Sequence, residues 1–321
     1  MSLVHLLRTL LLATAIAGAA VAAPVPEVLR IMGPAAPEAG FSSTARAVQQ
    51  AMTSIGVAKS VEVYHVPGDG GLAGLRQFVK EARGDGAQLM VTGYTTIGSI
   101  LVNKSPVTLD DVTPIARLTA HDPFGVLVSA ASPIRDAQQL AATLKADPSK
   151  VAWAAGSVGG AGHTAAVMFA VLNEVDPSRL SFTVALGGTA IDALLGGKVT
   201  VALVSSYGSY EEHLKSGRLR LIGITAAQRR PGIDAPTLRE QGIDLVFENW
   251  RGIVAAPGIT AEQRQALASA VERMAGSAAW KDILKEQRWS DAYLGGPDFE
   301  EFLKAERSRV ERAYRAAGML K

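Results

Sequence analysis

The residues of this chain best suited to binding chemistry lie in the stretch 151–166, VAWAAGSVGGAGHTAA, where an apolar run breaks into Gly156, Ser157, Gly159, Gly160 and Gly162 before helix-like sequence resumes. Glycine lets backbone N–H groups approach a ligand closely, and the first N–H groups of a helix carry partial positive charge, so the segment reads as a cradle for a carboxylate or phosphate. His163 falls in the first turn of that helix, where its ring can donate a hydrogen bond to an anion or fill an interface between domains. A second segment of this kind lies near the start. There Val28–Met32 leads through Gly33 to Gly40 and Phe41, and Ser42, Ser43 and Thr44 are placed to cap a helix with apolar positions Ala45, Val48, Met52 and Ile55. Besides Ser42 and Ser43, small hydroxyl residues recur where strands give way to loops or helices: Thr95 beside Tyr94, Thr189 beside Gly188, and Ser205 and Ser206. As caps they need no ligand; together they supply neutral donors to several carboxylate oxygens. Arg251, within Asn249, Trp250, Arg251 and Gly252, either adds a full positive charge to such a site or serves structure.

Other chemistries fit less well. Gly160, Gly162 and Ala165 match the spacing of a dinucleotide fingerprint, but the acidic residue required about 20 positions on is missing, since the next strand ends in Val184, Ala185 and Leu186. Ala155–Gly159 resembles a nucleophile elbow around Ser157 with its first glycine replaced, and His213 with Asp192 meets the triad order only nominally, so a secreted serine hydrolase stands as the alternative from another class. The histidines show no metal-ligand spacing, and no cofactor motif is present. With no cysteine in the chain, disulfides and thiol catalysis are excluded.

The elements that must position these residues alternate regularly. Strand candidates at Val126–Val128, Val151–Ala154, Ser181–Ala185, Val199–Val204 and Leu219–Ile224 are separated by helix candidates at Ala137–Lys145, His163–Glu174, Thr189–Leu195 and Ser209–Lys215. This alternation argues a mostly parallel sheet wrapped by helices, with ligands at the carboxyl ends of the strands. Strands near Val28–Met32, Val61–His65 and Leu89–Val91 repeat the theme as a second α/β domain. After Leu245 a strand-like VFENWRGIVAA precedes helices with clear start signals, Thr260 with Gln263 as a capping box and Pro297 opening the last one, and this tail is expected to return to the first domain. The charged run Glu306–Arg315 reads as a solvated helix face.

Length supports two domains, because 321 residues exceed the roughly 100 to 200 of one domain. With 32 basic and 30 acidic residues the chain is nearly neutral, and its scattered bases form no stripe of the kind nucleic acid requires. Arg8, the apolar run from Thr9 to Ile16 and the small residues to Ala23 have the three parts of a signal peptide, with cleavage expected after Ala22 and a mature protein in an exported compartment.

Several stretches together carry a family resemblance: PAAPEAGFSSTAR at 34–46, VPGDGGLAGLRQFV at 66–79, TPIARL at 113–118, GSVGGAGH at 156–163, LGGTAIDALLGGKVTVAL at 186–203, GITAAQR at 223–229, APTLREQGIDL at 235–245 and NWRGIVAAPGIT at 249–260. In this order they resemble the extracytoplasmic receptors of tripartite tricarboxylate transporters, the TctC or Bug family, over essentially the whole mature chain, and NWRG resembles the tricarboxylate-receptor branch. The resemblance implies an α/β periplasmic-binding-protein fold of type II-like architecture, with a signal peptide over 1–22, one domain of 23–124 plus 246–321 and a second of 125–245. It implies no catalysis and no cofactor. It also implies a small di- or tricarboxylate as ligand, citrate-like first, membrane permease subunits as partners, and a monomer; a sensor role with a signalling partner is the further alternative. The family's two ligand loops correspond here to Gly40–Thr44 and Gly156–His163. The first departs from the family pattern, with Glu38 and Ala39 where glycines are usual and Ser42 where an aspartate is usual. Loss of that acid predicts a more fully ionised ligand, or one lacking an amine or amide.

Overall fold

The computed structural model describes residues 24–120, 123–156, 158–185, 189–205, 207–316 and 318–320. The signal-peptide expectation, and Ser157, Gly188 and Ser206 among the candidate site residues, therefore lie outside the described residues. Among the described residues, no helix is long and apolar enough to cross a membrane.

The first sheet begins with β1 (Val28–Gly33), α1 (Gly40–Ser54), β2 (Ser60–His65), α2 (Leu72–Glu81), β3 (Gln88–Gly93), α3 (Tyr94–Val102) and β4 (Thr113–Ala120). A second sheet follows, built from β5 (Gly125–Ser129), α4 (Ala137–Ala146), β6 (Ala152–Ala155), α5 (Ala161–Leu172), β7 (Ser181–Val184), α6 (Thr189–Leu195), β8 (Val201–Val204), α7 (Glu211–Lys215) and β9 (Leu219–Ile224). The chain then returns to the first sheet through β10 (Trp250–Ala255), α8 (Ala261–Gly276), α9 (Ala278–Gln287), β11 (Ser290–Gly295) and α10 (Gly296–Ala316).

The strand orders are β11-β4-β10-β3-β1-β2 and β7-β6-β8-β5-β9. Counted within its own sheet, each places its second, first and third strands side by side, then a strand that enters from the other sheet, then its fourth. The entering strands β10 and β5 are antiparallel to both neighbours, so both sheets are mixed. A strand arriving from the other domain starts at the side where the domains meet, whereas its neighbours end there, so its direction is reversed. By the same correspondence β1 and β6 are equivalent strands, and the two glycine-bearing segments that follow them are equivalent loops.

Both faces of the first sheet are buried. Leu29, Ile31, Val91 and Ile253 pack with α1, α8 and α9, while Met32, Met90 and Val254 belong to a core that continues through α3 and α10 into the second domain. Strands covered on both faces read as apolar runs. Ends were harder to read than centres. α1 starts at Gly40 with no side-chain cap, because Ser42 and Thr44 already lie inside its first turn, where their hydroxyls donate to the carbonyls of Ala35 and Gly40 at 3.1 and 3.0 Å. The long strand expected from 246 is confined to β10. The Thr260–Gln263 capping box forms as expected, Thr260 Oγ1 accepting from Gln263 N at 3.2 Å and Gln263 Oε1 from Thr260 N at 2.9 Å.

Candidate functional site

Strand alternation decides what NWRG does. Trp250 and Gly252 face α10: the indole Nε1 donates to Glu306 at 3.2 Å, and a side chain on Gly252 would meet Phe299. Arg251 therefore faces the other way, toward α1, and its guanidinium carbon lies 4.5 Å from the centre of the Phe41 ring. Arg251 is 7% exposed. Its Nη1 donates to Asn249 Oδ1 at 2.9 Å, but Nε has no partner, and among the described residues no acidic neighbour offsets the burial that lowers its pKa to about 10. A guanidinium in this state remains charged at neutral pH. Leaving a buried charge uncompensated costs about 3–5 kcal/mol.

Glycines pack closely against the guanidinium. Gly40 lies where a methyl group would stand 3.2 Å from Nη2, and a methyl group at Gly93 would collide with Nη1 at 2.8 Å and the Trp250 carbonyl at 2.6 Å. Thr119, opposite Arg251 in the sheet register, is fully buried with its hydroxyl unpartnered. Nothing in the sequence near Thr119 marks it; only strand pairing brings it beside Arg251. Ser42 is fully buried in the first turn of α1, its Oγ 2.9 Å from His65 Nδ1 as well as bonded to Ala35. Ser43 accepts from Arg46 at 3.3 Å, and Thr44 is buried. Tyr94 is fully buried between the domains, edge-on to Phe247 at 4.6 Å, while Thr95 beside it is half-buried.

In the equivalent loop of the second domain, Gly156 and His163 are half-buried. Gly159, at φ +75°, donates its N–H to His163 Nδ1 at 3.3 Å, and the His163 ring stands edge-on to Phe182 at 4.5 Å. With Nδ1 accepting, the ring proton sits on Nε2, which is the donor left for a ligand. Burial lowers the His163 pKa, so the ring is neutral at pH 7. Ser205 is half-buried and Thr189 exposed at the ends of neighbouring elements. Among the described residues no cluster of His, Cys, Asp or Glu can hold a metal ion.

The charged run of α10 is largely the solvated face expected, with Arg307, Arg312 and Arg315 exposed, but Glu306 departs from it. Glu306 is 6% exposed and held bidentately by Arg309 at 2.7 and 2.8 Å. Tyr314, fully buried, donates to the Gly159 carbonyl at 2.6 Å, a role signalled only by the helical spacing of Phe299, Leu303, Val310 and Tyr314.

Two α/β domains of matching strand order, with anion-seeking groups at the strand ends of both, define a two-domain ligand-binding protein. A family model, that of the tripartite tricarboxylate transporter family receptor, matches residues 44–319, and the chain belongs to that family of solute-binding receptors. It is 26% identical to protein BugT of Bordetella pertussis over 255 residues, 76% of either chain. Its fold is similar to that of MatC (Rpa3494) from Rhodopseudomonas palustris with bound malate, with a TM-score of 0.72 and 23% identity over 90% of this chain and 99% of that one. It is likewise similar to R. palustris Rpa4515 with adipate, with a TM-score of 0.76 and 18% identity over 92% and 98% of the two chains.

Proposed function

We propose that this protein is a periplasmic receptor that captures a small di- or tricarboxylate between its two domains and delivers it to the permease of a tripartite tricarboxylate transporter, acting as a monomer and without catalysis. The observation that carries this reading is Arg251, a buried guanidinium with no acidic neighbour among the described residues, standing beside Gly40 at the start of α1. One carboxylate suits the neutral N–H donors of the Gly156–His163 loop, and a second suits Arg251. The bodies that close are residues 23–124 with 246–321, and 125–245. Malate in MatC and adipate in Rpa4515 are dicarboxylates and support the class; citrate remains the first choice from the NWRG sequence.

Thermal shift of the chain from Ala23 against mono-, di- and tricarboxylates tests this. A ligand at about 100 times its Kd adds about 2.7 kcal/mol of stability, a shift of several degrees. Shifts confined to di- and tricarboxylates are expected; a response to monocarboxylates alone, or to none of the panel, would sink the proposal.

A further inference from the structure

We infer that Tyr314 is a positioning residue for the Gly156–His163 loop, through which the last helix of one domain presets the anion cradle of the other. The inference rests on the ligand-loop reading above. The Gly159 peptide is held at both ends: its N–H goes to His163, and its carbonyl accepts from the Tyr314 hydroxyl at 2.6 Å. The same hydroxyl lies 2.8 Å from Thr164 Oγ1, which is also 3.0 Å from the Gly160 carbonyl. Tyr314 and Thr164 are fully buried. From α3, Gly98 completes the niche, because a Cβ there would strike both the Gly159 carbonyl and the Tyr314 hydroxyl.

Two consequences follow from this arrangement. The Gly159 carbonyl is engaged by Tyr314, so it is not offered as a free lone pair that would repel an anion. In addition, α10 carries Glu306, bonded to the Trp250 indole next to Arg251, and Arg309, whose guanidinium lies 5.3 Å from the Phe247 ring. One helix thus touches the strand of Arg251, the link between domains and the opposite loop, and in this conformation sets the separation of the two anion subsites.

Hydrogen exchange of the ligand-free chain, read peptide by peptide in the parent and in Tyr314→Phe, tests the inference without any ligand. Peptides covering 156–164 are expected to exchange at least tenfold faster in the variant, as for one lost buried hydrogen bond, with β1–β3 peptides unchanged. Gly98→Ala, which presses on the same carbonyl from α3, is expected to do likewise, and Thr164→Ser to behave as the parent. Citrate and malate, used as probes, should dissociate about tenfold faster from Tyr314→Phe if the parent binds them. Unchanged exchange at 156–164 in both Tyr314→Phe and Gly98→Ala, or acceleration spread evenly over the whole chain, would overturn the inference. A parent that binds neither probe yet shows the local acceleration would support the positioning role and count against the receptor reading alone.

Discussion

A buried arginine kept for structure and one kept for a ligand respond oppositely to removal. If Arg251 were a structural tie, Arg251→Met would cost the 3–5 kcal/mol typical of breaking a buried pair, about. Here the guanidinium has a hydrogen bond to Asn249, a long one of 3.5 Å to the Trp250 carbonyl, the Phe41 ring and no acid offsetting its burial among the described residues. Removing its charge relieves a desolvation penalty of the size of those contacts. Arg251→Met is therefore expected to leave ligand-free stability within about 1 kcal/mol of the parent in urea titration, and to abolish the dicarboxylate-induced thermal shift. His163 gives the second residue-scale prediction. Its folded pKa is depressed by burial, so below the ordinary imidazole value the unfolded chain binds the extra proton. The contribution of a neutral His163 is thus complete above about pH 6.5 and is lost as pH falls below that value. Comparing urea midpoints from pH 7.5 to 5.5, the parent should lose more stability on acidification than His163→Gln, whose amide oxygen still accepts from Gly159; equal slopes would show that the ring titrates freely.

Capping side chains are what make an element boundary readable, and α8 offers a direct check. Thr260→Ala removes the acceptor for Gln263 N and should cost about 1 kcal/mol, lowering Tm by about 2–4 °C with ligand affinity untouched. The contrast between α8 and α1 explains how far the elements were legible. At Thr260 the polar signal and the cap coincide, so the start is legible; at α1 the Ser42 hydroxyl reaches back to the Ala35 carbonyl and that of Thr44 to the Gly40 carbonyl, so neither caps and the helix begins ahead of them. The alternation that gave two α/β domains is a local property and survived intact. The reversed strands β5 and β10 were invisible because direction is set by where the chain re-enters a sheet, a long-range fact. For the site, the glycine loops and Arg251 announced themselves by type. Thr119 and Tyr314 did not, since each acquires its neighbour only through pairing or packing more than a hundred residues away, and the charged residues around Tyr314 masked its apolar stripe.

At the scale of the whole molecule, the receptor reading requires two bodies to move about a link that itself stays intact. The passages between the sheets meet at Thr225, which is fully buried and belongs to neither sheet. Its hydroxyl accepts from Phe124 N at 2.9 Å on the outgoing passage and donates to the Phe247 carbonyl at 2.6 Å on the return, while its backbone pairs with the same two residues at 3.0 and 2.8 Å. Phe247 in turn packs on Phe124 and Tyr94 at 5.8 and 4.6 Å, so both passages are bound into one unit that must bend together. Thr225→Val preserves the shape of the side chain and deletes the hydroxyl, stranding one buried N–H and one buried carbonyl at a cost of about 1–3 kcal/mol each. Because the lost bonds tie the two passages rather than strands within either sheet, the cost falls on the relation between the domains. Small-angle scattering of the ligand-free variant should show a larger radius of gyration than the parent, with far-ultraviolet circular dichroism unchanged, and ligand-induced compaction should persist at higher ligand concentration. A variant that scatters like the parent and closes at the parent's ligand concentration would place the pivot elsewhere along the two passages.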